Sequence, residues 1–196
     1  LRVRATQRHE FLPAGNGNSA LLAPSAAEAE IAIDGKQATI TNGKITCTVS
    51  ENGELQFCNQ DGEVLLEEYS RVRDTQAEGR NRFASALEIV PRTFQPRQST
   101  DHYRLTVRFE SNDGEKMYGM GQYQQPFLDL KGCVIELAHR NSQASVPFVL
   151  SDRGYGMLWN NPAIGHATFG KNVTEWVAES TKQMDYWITA GDTPAQ

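Results

Sequence analysis

Five dipeptides constrain what this chain can fold into: Asp34-Gly35, Asn42-Gly43, Asn52-Gly53, Asp61-Gly62 and Asp113-Gly114. Each sits between short apolar or alternating runs, and such pairs supply the positive φ that tight hairpin turns require. The strands they punctuate read as 30–33, 38–41, 44–49, 54–58 and 64–68, several pairing as successive hairpins. Further strands are expected at 83–90, 103–109, 116–119, 134–138, 148–150, 156–160, 174–178 and 184–189, after a first short strand at 2–6. No long segment carries the i, i+3, i+4, i+7 spacing of an amphipathic helix. The pattern therefore predicts an all-β chain folded as a two-sheet antiparallel β-sandwich. Residues 13–28, rich in Gly, Asn, Ser, Ala and Pro, read as a long loop, and the polar stretch 70–82 as a solvated connection. Neither separates a second core, so residues 1–196 are read as one domain.

Composition narrows the function classes. Hydrophobic residues make up 39% of the 196, with 16 Gly and 8 Pro, which suits a globular core and excludes collagen-like or low-complexity chains. With 19 basic and 24 acidic residues the net charge is −5, and no run of Lys or Arg offers a face to nucleic acid. No apolar stretch approaches the roughly 18 residues of a membrane-spanning helix, so neither nucleic acid nor membrane is an expected partner. The chain opens Leu1-Arg2-Val3-Arg4 without signal-peptide architecture. It reads as a trimmed or processed piece of a cytoplasmic protein.

The chemistry-bearing residues form no catalytic or cofactor motif. Cys47, Cys58 and Cys133 lack any C-x-x-C spacing and read as reduced, buried thiols. His9, His102, His139 and His166 lie far apart, so no metal site is expected. There is no G-x-S-x-G elbow, Walker loop or dinucleotide fingerprint, and no cofactor is expected. Gly119-Met120-Gly121 precedes no helical pattern and reads as a strand end or bulge rather than a phosphate cradle. Glu67-Glu68 and Asp185 read as structural carboxylates, because neither sits in a motif that marks a glycosidase pair. The aromatics cluster in the second half, among them Tyr118, Tyr123, Phe148, Trp159, Trp176 and Trp187. In a sandwich such residues fill the core or an interdomain face more often than they form sugar platforms.

One run of motifs carries a family resemblance. Met117-Tyr118-Gly119-Met120-Gly121-Gln122, then Leu128-Asp129-Leu130-Lys131-Gly132, then the segment from Val146-Pro147-Phe148 through Arg153-Gly154-Tyr155-Gly156 to Asn160-Asn161-Pro162, resembles the N-terminal β-sandwich of glycoside hydrolase family 31. That family includes α-glucosidases and α-xylosidases. The motif-bearing match covers residues 109 to 188. The resemblance implies a galactose-mutarotase-like supersandwich that precedes a (β/α)₈ barrel, with both catalytic aspartates on the barrel and none on this chain. The implied function is a non-catalytic domain of a retaining α-glycosidase, its partners being the barrel of the same parent chain and an α-linked oligosaccharide or glycoside. It also implies that the loop 139–145 reaches over the barrel mouth, which nominates His139, Arg140 and Asn141 as substrate-binding residues. Several relatives carry an Arg-Asp pair there, whereas this chain has Arg140-Asn141; the amide keeps one acceptor and adds two donors but loses a charge-assisted bond. Removing the barrel should expose a docking face, and Trp159 or Trp176 is expected at or near it. Two other classes compete: an independent carbohydrate-binding module, which should bind an oligosaccharide by itself, and a sugar epimerase, which needs an acid and a base converging on one sheet.

Overall fold

The computed structural model describes residues 1–12, 28–71 and 88–194, and every regular element among them is a strand. In chain order these are β1 (Arg2–Ala5), β2 (Glu30–Asp34), β3 (Gln37–Asn42), β4 (Ile45–Val49), β5 (Leu55–Cys58), β6 (Val64–Glu67) and β7 (Arg92–Pro96). There follow β8 (Tyr103–Glu110), β9 (Met117–Gln122), β10 (Val134–Leu137), β11 (Ala144–Ser151), β12 (Tyr155–Trp159), β13 (Gly165–Phe169), β14 (Val173–Thr181) and β15 (Met184–Ala190). The five turn glycines named above have φ between 59° and 81°, the left-handed region their hairpins need.

The all-β sandwich is as expected, but the described strands form three five-stranded sheets rather than two: β1-β15-β12-β11-β9, β10-β13-β14-β8-β7 and β2-β3-β4-β5-β6. The third sheet is an N-terminal meander, because successive tight turns pair each strand only with its chain neighbour. It joins the second sheet at one edge, where Glu68 bridges Phe109 and the Tyr69 N–H donates to the Arg108 carbonyl at 3.0 Å.

The first two sheets face each other across the core. Trp159 of β12 stacks on Trp176 of β14 with ring centroids 5.7 Å apart, and Phe109 of β8 meets Tyr186 of β15 edge-on at 5.8 Å. Such aromatic pairs add about 0.5–1.5 kcal/mol beyond the area they bury. Trp159 and Trp176 are 1% and 0% exposed. Neither lies at a docking face, which corrects the expectation from sequence: on their strands both fall in phase with the inward-facing residues. Cys47 is buried as expected, whereas Cys58 and Cys133 are only half-buried; all three are free thiols.

Two strands differ from the sequence reading. Of the expected strand 83–90, residues 83–87 lie outside the described residues, and Ile89 makes only an isolated bridge to Arg71. The strand itself begins at Arg92, between two prolines, Pro91 and Pro96, that disguise it as a connection. β13 was not anticipated, since Gly165 and small or polar neighbours weaken its alternation. The glycine is required there: a Cβ on Gly165 would lie 1.8 Å from the Val177 carbonyl oxygen of the paired strand. Most of the expected loop 13–28 and connection 70–82 falls outside the described residues.

Candidate functional site

The segment carrying His139, Arg140 and Asn141 crosses from β10 in the second sheet to β11 in the first. It is shorter than the sequence suggests, because β11 already begins at Ala144. What remains is a tight turn. The Gln143 N–H donates to the Arg140 carbonyl at 3.1 Å, and Ser142 adopts a left-handed φ of 68°. The structure brings all three residues to one exposed tip. His139 Nδ1 accepts the Ser145 N–H at 3.3 Å, so the neutral ring carries its proton on Nε2. Arg140 donates to Glu136 Oε1 at 2.6 Å. With side chains 60% and 49% exposed, that ion pair contributes at most about 1 kcal/mol, so the guanidinium is easily surrendered to another acceptor.

Hydrogen bonds tie the base of the turn. The Tyr123 hydroxyl donates to the Glu136 carbonyl at 2.8 Å and sits 2.9 Å from Ser145 Oγ, whose hydroxyl can donate back, so one phenol ties β10 to β11 at the base of the turn. Beneath it, Gly119, Met120 and Gly121 have φ of 107°, 68° and 99°, and the β9–β11 register shifts between Ser145 and Val149. A Cβ on Gly121 would lie 2.1 Å from the Ala144 carbonyl oxygen. The Gly-x-Gly is thus a bulge that lets β9 close onto the start of β11. Tyr123 and Glu136 as supports were missed from sequence. No local signal marks the Glu136–Arg140 pair, because four-residue spacing makes neighbours on a helix and not from a strand into a turn.

The buried carboxylates serve the interior. Asp185 accepts two hydrogen bonds from Arg2, at 2.9 and 2.5 Å, and one from Asn160 at 2.8 Å, fastening β1 to the sheet. Glu115 accepts the Ser151 and Tyr155 hydroxyls at 2.6 and 2.8 Å and the Lys131 ammonium at 3.3 Å. Glu68 accepts the Leu55 N–H and the Arg92 guanidinium, each at 3.0 Å, and burial pushes its carboxyl up to about 7. A polar cleft of about 60 Å³ is lined by Lys44, Asp61, Arg153 and Asp192 among others. It adjoins the β11–β12 turn, about 25 Å of strand away from Arg140. The exposed tip offers hydrogen-bond donors for hydroxyl oxygens and no paired acid and base.

Residues 2–166 match the family described as the glycosyl hydrolase 31 N-terminal galactose mutarotase-like domain. A family 31 glucosidase of Pseudescherichia vulneris, itself uncharacterized, is 54% identical over 198 residues, covering 98% of this chain and 37% of that protein. The crystal structure of a family 31 α-xylosidase from a soil metagenome, complexed with xylose, superposes with a TM-score of 0.90 at 48% identity over 99% of this chain and 29% of that one. A xylosidase from Aspergillus niger gives a TM-score of 0.72 at 25% identity, covering 97% of this chain and 27% of that one. The chain thus spans about a third of the length of the relatives it matches. The fold, the motif order and these matches agree: the chain belongs to glycoside hydrolase family 31, as its N-terminal galactose-mutarotase-like domain.

Proposed function

We propose that this domain is the non-catalytic sandwich of a retaining α-glycosidase of α-xylosidase or α-glucosidase type, that it packs on the catalytic barrel of its parent chain, and that the turn carrying His139, Arg140 and Asn141 helps shape the substrate pocket. The observation that carries this reading is the near-complete superposition of the chain on less than a third of an α-xylosidase. Glycoside hydrolysis needs two carboxyl groups flanking the scissile bond, and the buried carboxylates here are bound to internal partners. Arg140 and Asn141 supply donors that a bound glycoside's hydroxyls would accept, and Tyr123 ties the base of their turn to both flanking strands. Each neutral bond contributes a net of about 0.5–1.5 kcal/mol. That is too little to capture a sugar alone but enough to tune a transition state that another domain positions.

The test uses the full-length protein and aryl α-xylosides and α-glucosides. Replacing Arg140 and Asn141 with Ala is expected to lower kcat/KM about tenfold for each ~1.4 kcal/mol of binding lost, with the melting temperature unchanged. The 196-residue chain alone is expected to release no aglycone. Unaltered kinetics would remove the turn from the pocket, and turnover by the isolated chain would overturn the non-catalytic reading. Tight binding of a xylo- or gluco-oligosaccharide by the isolated chain would favour a free-standing binding module instead.

A further inference from the structure

A sandwich sheet normally buries one face and wets the other, so its strands alternate apolar and polar. The β10-β13-β14-β8-β7 sheet obeys this rule: its outer face carries the cross-strand ion pairs Arg108–Glu175 at 2.9 Å and Arg104–Glu179 at 3.1 Å. The β1-β15-β12-β11-β9 sheet obeys it only in part: Arg2, Arg4, Asp185 and Thr189 fall on its outward phase beside large apolar side chains. Val149, Met157, Trp159, Tyr186 and Ile188 point into the core, and of the residues that alternate with them Phe148, Leu150, Leu158 and Trp187 are apolar as well. The register sets Phe148 opposite Leu158, Leu158 opposite Trp187 and Trp187 opposite Arg2, one continuous row over four strands. Leu150 opposite Tyr118 extends it onto a fifth. These five apolar side chains are half-buried. The Phe148 ring lies flat along the sheet, where a Cβ on Gly156 would come within 2.9 Å of it.

We propose that this outer face is the surface on which the catalytic domain of the same polypeptide docks. The inference rests on the functional reading above. The matched part, described as N-terminal, is 27% to 37% of the relatives' chains, so about two-thirds or more of each polypeptide lies outside it and is available to cover this face. The chemistry suits a protein surface better than a sugar. Aliphatic Leu150 and Leu158 separate the aromatics, and the Trp187 ring is already capped by the Arg2 guanidinium, 5.2 Å from its centroid. That guanidinium is in turn committed to Asp185. Strands spaced by about 4.8 Å and a stretch of about five residues give a footprint of about 300 Å². This matches one side of a small interdomain interface of roughly 600 Å² in total.

Hydroxyl-radical footprinting of the full-length protein reads the answer without substitution. Phe148, Leu150, Leu158 and Trp187, corrected for intrinsic reactivity, are expected to oxidise within about threefold of the core residues Met157 and Trp159. Faster oxidation in a protein that still hydrolyses aryl α-glycosides would overturn the docking face and leave the functional reading standing. A full-length protein without hydrolase activity would overturn that reading itself. Protection that arises only when an oligosaccharide is added would assign the face to sugar. Protection that grows with protein concentration would assign it to a second copy, and either result overturns the proposal.

Discussion

Replacing Glu68 with Gln is expected to remove a pH dependence of about 3 kcal/mol from the stability of the sandwich. Glu68 lies where the meander meets the second sheet, with its side chain 0% exposed. One oxygen accepts the Leu55 N–H and the Arg92 guanidinium, and the other is buried without a partner. Desolvation is the largest influence on the carboxyl and raises it from 4.5 to about 7; Arg92 and the Leu55 N–H pull it down, and Glu54 pushes it up. The thiol of Cys47, pushed up to about 11 chiefly by burial, and the buried Tyr186 phenol, also raised, both feel the Glu68 charge and remain protonated in this range. Between pH 4.5 and 7 the folded state holds the Glu68 proton and the unfolded chain releases it. Stability therefore falls as pH rises through that window and levels off above it. A shift from 4.5 to about 7, at about 1.4 kcal/mol per pH unit, yields the ~3 kcal/mol. The neutral amide of Gln retains an acceptor for Leu55 and cannot ionise. Urea unfolding followed by tryptophan fluorescence from pH 4 to 8 compares the two proteins, and titrations common to both cancel in the difference. A difference that stays constant across the window, or grows in favour of the wild type as pH rises, would refute the reasoning.

Three further outcomes follow from the packing. Gly121→Ala should lower stability by about 3 kcal/mol or more, since its Cβ would meet the Ala144 carbonyl at 2.1 Å with φ at 99°; an unchanged thermal midpoint would show that the bulge relaxes freely. Trp159→Ala should cost about 3–5 kcal/mol, because the ring it removes stacks on both Trp176 and Tyr186, and denaturant titration measures it. Arg2→Ala strands the buried Asp185 carboxylate and should cost about 2 kcal/mol, with faster hydrogen exchange at the β1–β15 amides; unaltered exchange would show that the backbone ladder alone holds β1.

Much of the architecture was legible because its causes are local. A dipeptide such as Asn42-Gly43 needs nothing beyond its own backbone freedom to form a turn, and that turn sets the runs on either side of it next to each other as β3 and β4. The strands on either side of the tight turns were therefore placed to within a few residues. β7 and β13 were lost because Pro91, Pro96 and Gly165 signal breaks locally, while their strands exist to fit edges supplied by β8 and β14. The nominated tip at 139–141 came from a motif order, and the residues that support it did not: Tyr123 reaches Glu136 and Ser145 only after the bulge at 119–121 has brought β9 against β11.

The tryptophans mark the boundary most clearly. The sequence by itself determined that this chain is a strand-and-turn domain of its family, rich in aromatic residues toward its end. It could not tell Trp159 from Trp187, since Leu158 and Trp187 point outward on strands whose inward residues, Met157, Trp159, Tyr186 and Ile188, are large and apolar as well. Which face is inward depends on the register between strands far apart in the chain, such as Arg2 opposite Trp187 and Leu158 opposite Trp187. Only the tertiary structure decided it, because alternation along one strand reveals a buried side when the other side is polar, and around Leu158 and Trp187 both sides carry apolar residues.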